Sequence, residues 1–130
     1  MDKILVADLP SMDARYSAAF TGWPLVFVRS MEEASAALEA PHYDAIAIGV
    51  YFDDSQMFDL VRAIRSHELH NEAPILCVRG GPGFAAVTTR TLEIAVQALS
   101  ADCFIDLLQF QDEKSGEAEL RAALQRYVKA

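Results

Sequence analysis

The sequence predicts a three-layer α/β/α sandwich built on a five-stranded parallel sheet, and three observations carry that expectation. Five short apolar runs recur along the chain, with stretches of helical periodicity between them. Most of the runs are continuous rather than alternating, as expected of parallel strands covered by helices on both faces. The order βαβαβαβαβα proceeds without repeat, linker or low-complexity tract, which suits right-handed crossovers in a single domain spanning residues 1–130.

The elements follow in order. Ile4-Leu5-Val6-Ala7 is the first strand, and residues 12–20 form a helix that starts after Pro10-Ser11 and stops before Gly22. Leu25-Val26-Phe27-Val28 is the second strand. Ser30 caps a helix over residues 31–39, with Glu33 as its capping-box partner and Pro41 beyond the end. The run from Ala45 to Ile48 is the third strand, and apolar residues from Met57 to Leu69 recur at helical spacing as far as Asn71. Pro74 suits the start of the fourth strand, Ile75-Leu76-Cys77-Val78. A long helix over residues 84–99 is apolar on more than one face. Cys103-Phe104-Ile105 is the fifth strand, and the last helix, residues 117–128, places Leu120, Leu124 and Tyr127 or Val128 on one stripe.

Composition narrows the function. With 130 residues the chain is long enough to bury roughly two-thirds of its unfolded surface. A net charge of −8 argues against nucleic acid and against an anionic membrane surface. No apolar run reaches membrane-spanning length, and Met1-Asp2-Lys3 leads straight into a strand rather than a signal peptide, so a cytoplasmic protein is expected. The two cysteines, Cys77 and Cys103, sit in apolar runs and read as buried thiols rather than a disulfide or metal pair.

Ligands in such sheets bind at the carboxyl ends of the strands, which directs attention to Asp8, Gly49 to Asp54, Arg79 to Gly83 and Asp106 to Gln109. At these positions the chain resembles a response-regulator receiver domain. Lys3-Ile4-Leu5-Val6-Ala7-Asp8 is similar to the opening of such a domain, and residues 43–65 match its third strand, loop and third helix without a gap. Pro74 to Gly80 is similar to its fourth strand, and Ser100-Ala101-Asp102 to the step into its fifth. The resemblance implies a flavodoxin-like sheet with strand order 2-1-3-4-5 and a cleft for phosphotransfer.

Receiver chemistry uses an acidic pair after strand one, an acceptor Asp ending strand three, a Thr or Ser ending strand four and a Lys ending strand five. Here the pair is reduced to Asp8, with Leu9 beside it. The acceptor position is Gly49, the hydroxyl position Arg79 and the lysine position Leu107. Glycine cannot take a phosphoryl group and leucine supplies no charge. The resemblance therefore implies a degenerate pseudo-receiver with no catalytic residue, no bound metal and no cofactor.

Other features have competing readings. Asp53-Asp54 is either a displaced ligand pair or, as adjacent loop acids usually are, a solvated loop. Arg79 either pairs with Asp8 or Asp53, taking the place of cation and phosphate, or extends into solvent. Arg79-Gly80-Gly81-Pro82-Gly83 is an anion-binding nest or, more simply, a flexible turn. His67 and His70, at i, i+3, read as a solvated helix end rather than a chelate. Phe104 occupies the position of the receivers' switch aromatic and is expected to be buried and static.

The function expected is phosphorylation-independent signalling through a protein partner or self-association. The implied surface is helix 84–99, strand 103–109 and helix 117–128. The first alternative is a sensor of a small molecule or anion near Arg79 and Gly80 to Gly83. The second is a metal-dependent enzyme using Asp8 and Asp53-Asp54.

Overall fold

A computed structural model describes residues 2–80 and 89–128. Strands β1 (Ile4–Ala7), β2 (Leu25–Val28), β3 (Ala45–Gly49), β4 (Ile75–Arg79) and β5 (Cys103–Asp106) pair in parallel in the order β2-β1-β3-β4-β5, as expected. Helices α1 (Asp13–Ala19), α2 (Met31–Ala37), α3 (Met57–Arg65), α4 (Thr89–Ala98) and α5 (Glu113–Tyr127) follow the strands in turn. Among the described residues no helix is long and apolar enough to cross a membrane.

Strand side chains alternate between the two faces of a sheet, and here each face owns a separate core. Leu5, Ala7, Ile46, Ile48, Ile75 and Cys77 pack with residues of α2, α3 and α4, including Ala34, Leu60, Ile64 and Val96. Ile4, Val6, Ala45, Ala47, Leu76 and Val78 pack with Tyr16, Phe20, Leu120 and Leu124 of the α1–α5 side. Strands β1, β3 and β4 are buried along their whole length, which is why their sequences run apolar without alternation. The parity continues to the strand ends. Gly49 falls on the α1–α5 side with Ala45 and Ala47, whereas Arg79 falls on the opposite side with Ile75 and Cys77.

Local chemistry sets several boundaries. The Ser30 hydroxyl accepts from Glu33 N–H (3.1 Å), and the Glu33 carboxylate reaches back to Arg29 N–H (2.7 Å), one residue beyond the expected capping-box contact. Helix α5 begins at Glu113 rather than 117, because Asp112 caps it by accepting from Ser115 N–H at 2.7 Å. Helix α3 ends at Arg65, six residues short of Asn71. The turns that follow fold His70 inward to 2% exposure. Its Nε2 meets the carbonyls of Leu38 (2.8 Å) and Ala40 (2.9 Å), which the end of α2 leaves without helical partners. His70 is therefore a buried clamp between two turns and not part of a solvated helix end.

Cys77 is buried as expected, but Cys103 and Phe104 are only half-buried, because β5 is an edge strand. Burial still pushes both thiols up to about 12. Residues 84–88 of the expected fourth helix and the Gly81-Pro82-Gly83 turn lie outside the described residues.

Candidate functional site

The carboxyl ends of β1, β3, β4 and β5 bring the expected residues to one edge of the sheet but divide them between its faces. On the α1–α5 side Asp8 is 4% exposed. Its carboxylate accepts from the Tyr16 hydroxyl (2.6 Å) and from Leu9 N–H (2.7 Å). Arg29 donates to the Asp8 carbonyl at 3.1 Å and pairs with the Asp13 carboxylate, which ties the loop after β1 to the end of β2.

Asp8 lies directly against Gly49. A Cβ on Gly49 would stand 2.1 Å from Asp8 Cγ and Oδ1 and 2.3 Å from Oδ2. No side chain of any kind fits there while Asp8 keeps its bonds. Asp8 occupies the room in which any side chain at position 49 would stand.

Burial raises the Asp8 carboxyl above its ordinary value, against the bonds from Tyr16 and Leu9 and the charge of Arg29. A carboxyl with a raised folded-state value favours the folded state below the unfolded value of 3.8 and loses that contribution as pH rises through the raised value. At neutral pH its charge is a net cost. Asp8→Asn keeps the shape and discards the charge, so at pH 7 it is expected to melt above the parent. The gap should close as pH falls toward 3.8. A lower melting midpoint for Asp8→Asn at pH 7 would show that the carboxylate is held charged by its neighbours.

On the opposite side, Arg79 does not pair with Asp8 or Asp53. Its Nη2 lies 2.5 Å from Asp106 Oδ2 and 3.2 Å from the Thr89 hydroxyl, and that hydroxyl donates to Asp106 at 2.6 Å. Strand parity is the reason. Arg79 and Asp106 are direct neighbours in the β4–β5 register and project to the same face, whereas Asp8 projects to the other. Both are 5% exposed. Burial alone would raise the Asp106 carboxyl, but the bonds from Arg79, Thr89 and Leu108 N–H outweigh it and hold the group below the ordinary value.

Asp53 also points away from the cleft. Its carboxylate accepts from Met31 N–H at 2.8 Å, at the start of α2. Asp53, Asp54 and Ser55 all have left-handed backbones, with φ of 43°, 56° and 63°. Three successive non-glycine residues there store strain. That turn aims Asp53 at α2, so it is neither a ligand pair with Asp54 nor a freely solvated loop acid.

Leu107 is buried in the α1–α5 core, where it packs beside Gly80 and Gly116. Among the described residues no three metal-ligating side chains meet at the carboxyl ends of the strands. A cavity of about 190 Å³ opens beside Arg79, lined mainly by the apolar Val50, Tyr51, Met57, Phe58 and Leu92.

Two partners escaped the sequence reading. Asp106 sits one residue before Leu107, and the rule that directly paired strand residues share a face would have matched it to Arg79. Tyr16 carries a polar tip on an apolar helix stripe, a sign of a buried hydrogen bond.

No family model matches the chain, and no curated protein matches it. Solved structures do. A response regulator from Hahella chejuensis superposes with a TM-score of 0.80 at 17% identity, over 100% of this chain and 97% of that one. A chemotaxis response regulator of Vibrio cholerae gives 0.75 at 21% identity, over 98% of this chain and 99% of that one. The receiver domain of a sensor histidine kinase from Pseudomonas aeruginosa, which holds a magnesium ion in its active-site cleft, gives 0.70 at 21% identity, over 97% and 96%. The identities are low, but the likeness runs from end to end. The fold of this chain is that of the response-regulator receiver domains.

Proposed function

We propose that this chain is a phosphorylation-independent signalling module, a receiver scaffold that acts by binding a protein partner and catalyses no reaction. One observation carries the reading: the Asp8 carboxylate fills the space above Gly49, so the acceptor and its room are both absent. Leu107 adds a buried apolar side chain where phosphotransfer needs a cation. Incubation with acetyl phosphate or beryllofluoride and Mg²⁺ is expected to leave the mass and the amide spectrum unchanged. An acid-labile adduct on Asp8, Asp53 or Asp54 would overturn the reading.

The partner surface proposed is α4, β5 and α5. Ile94 on α4 is 56% exposed, and a cavity of about 230 Å³ is lined by residues of both α4 and β5, among them Val96, Gln97, Cys103 and Phe104. The charge of −8 speaks against a role with nucleic acid, and the unpaired thiols Cys77 and Cys103 fit a reducing, cytoplasmic setting. The anion-sensing alternative has less support, because the Arg79 charge is answered by Asp106 and the adjoining cavity is mostly apolar. The metal-dependent enzyme has less still, since Asp53 is turned to α2.

A further inference from the structure

We propose a second site, for a divalent transition-metal ion, formed by Asp2, His42 and Asp44 where the chain enters β1 and β3. It lies at the end of the sheet opposite Asp8 and Gly49 and does not rest on the function proposed above. One ligand atom from each of the three side chains falls within 4.8 Å of the other two. His42 Nδ1 is 2.6 Å from Asp2 Oδ2 and 3.8 Å from Asp44 Oδ1. A tetrahedral ion with nitrogen and oxygen ligands at about 2.0–2.1 Å needs ligand separations of about 3.3 Å, between those two values. The remaining separation, between the Asp2 and Asp44 oxygens, is within 4.8 Å.

The backbone under these side chains is already fixed. Asp44 N–H donates to the Lys3 carbonyl at 2.9 Å, and Asp2 N–H donates to Asp44 Oδ2 at 3.0 Å. The β1–β3 pairing that begins at Ile4 and Ala45 holds both approaches side by side. This leaves Asp44 Oδ1 directed toward the imidazole.

An independent feature adjoins the three ligands. His42 and Asp44 form part of the wall of a cavity of about 440 Å³ that also presents Glu68 and Glu72; among the described residues no Lys or Arg lines it, and Lys3 Nζ stands 5.3 Å from the ring centre of Tyr43 on the same wall. Such a cavity raises the local concentration of cations and has room for the waters that complete the coordination. One imidazole with two carboxylates favours zinc, nickel or copper over magnesium, which takes oxygen ligands and gives up water reluctantly. A bound ion would link residue 2 to the strand entry at residues 42–44 and raise the melting midpoint.

The test is calorimetric titration of the tag-free chain with ZnCl₂ after dialysis against chelator. One ion per chain is expected, with no heat from MgCl₂. His42→Ala and Asp44→Asn should each weaken zinc binding at least tenfold, and Cys103→Ser should leave it unchanged. Absence of zinc binding, equal binding by His42→Ala, or loss of binding on Cys103→Ser would overturn the site.

Discussion

Gly49→Ala is expected to lose about 2–3 kcal/mol of stability, although it adds a single methyl group. The new carbon would stand 2.1 Å from the Asp8 carboxylate, so that carboxylate must leave its place. It then gives up the Tyr16 hydroxyl and Leu9 N–H, each worth about 1 kcal/mol or more, in addition to the strain of overpacking. Denaturant unfolding of Gly49→Ala, Asp8→Ala and the double variant checks this. In the Asp8→Ala background the methyl should cost less than about 1 kcal/mol, so the cycle should show strong coupling. Equal costs in both backgrounds would mean that Asp8 is not the obstacle. Gly49→Asp should lose more still, since it sets a second carboxylate against a buried one. It should also gain no phosphate, because Leu107 leaves the site without its cation.

Arg79→Ala should cost about 3 kcal/mol, well above the 0–1 kcal/mol of an exposed ion pair. Arg79 and Asp106 are both 5% exposed, and the truncation leaves the Asp106 carboxylate without its counter-charge. Replacing both at once, as Arg79→Met with Asp106→Leu, should recover most of the loss, because similar-sized apolar groups avoid desolvating two charges. The pH dependence has a definite sign. The Asp106 carboxyl is held below its ordinary value, so its contribution is present above the unfolded value of 3.8 and fades as pH falls through the lowered one. The gap between parent and Arg79→Ala should narrow in that acid window. A double variant no more stable than Arg79→Ala would show that the pair is not the source of the loss.

The strands were legible because β1, β3 and β4 are buried on both faces, which leaves a continuous apolar mark in the sequence. The residue types at the strand ends were legible too, since Gly49 and Leu107 carry neither a carboxylate nor a charge. Partnerships were harder to read. Arg79 stands at the same sheet edge as Asp8, and only the parity of β4 against β1 shows that the two point apart. His70 reads as one more turn of α3 until Arg65 ends the helix and the loose carbonyls of α2 need donors. Asp53 turns away from the cleft because three left-handed residues in a row reverse the chain, and none of the three is a glycine that would have signalled it.

The contact between Asp8 and Gly49 also constrains the substitutions open to this chain. Placing an acceptor at position 49 requires the Asp8 carboxylate to move first, and moving it gains nothing while position 49 is glycine. Likewise, a lysine in place of the buried Leu107 strands a charge in the α1–α5 core, and a threonine in place of Arg79 leaves Asp106 without its cation. Each of these substitutions, taken singly, costs folding stability before any activity could appear. The interlocked side chains act as a ratchet: an acceptor, a cation and a hydroxyl cannot be introduced here one at a time without a loss of stability at each step.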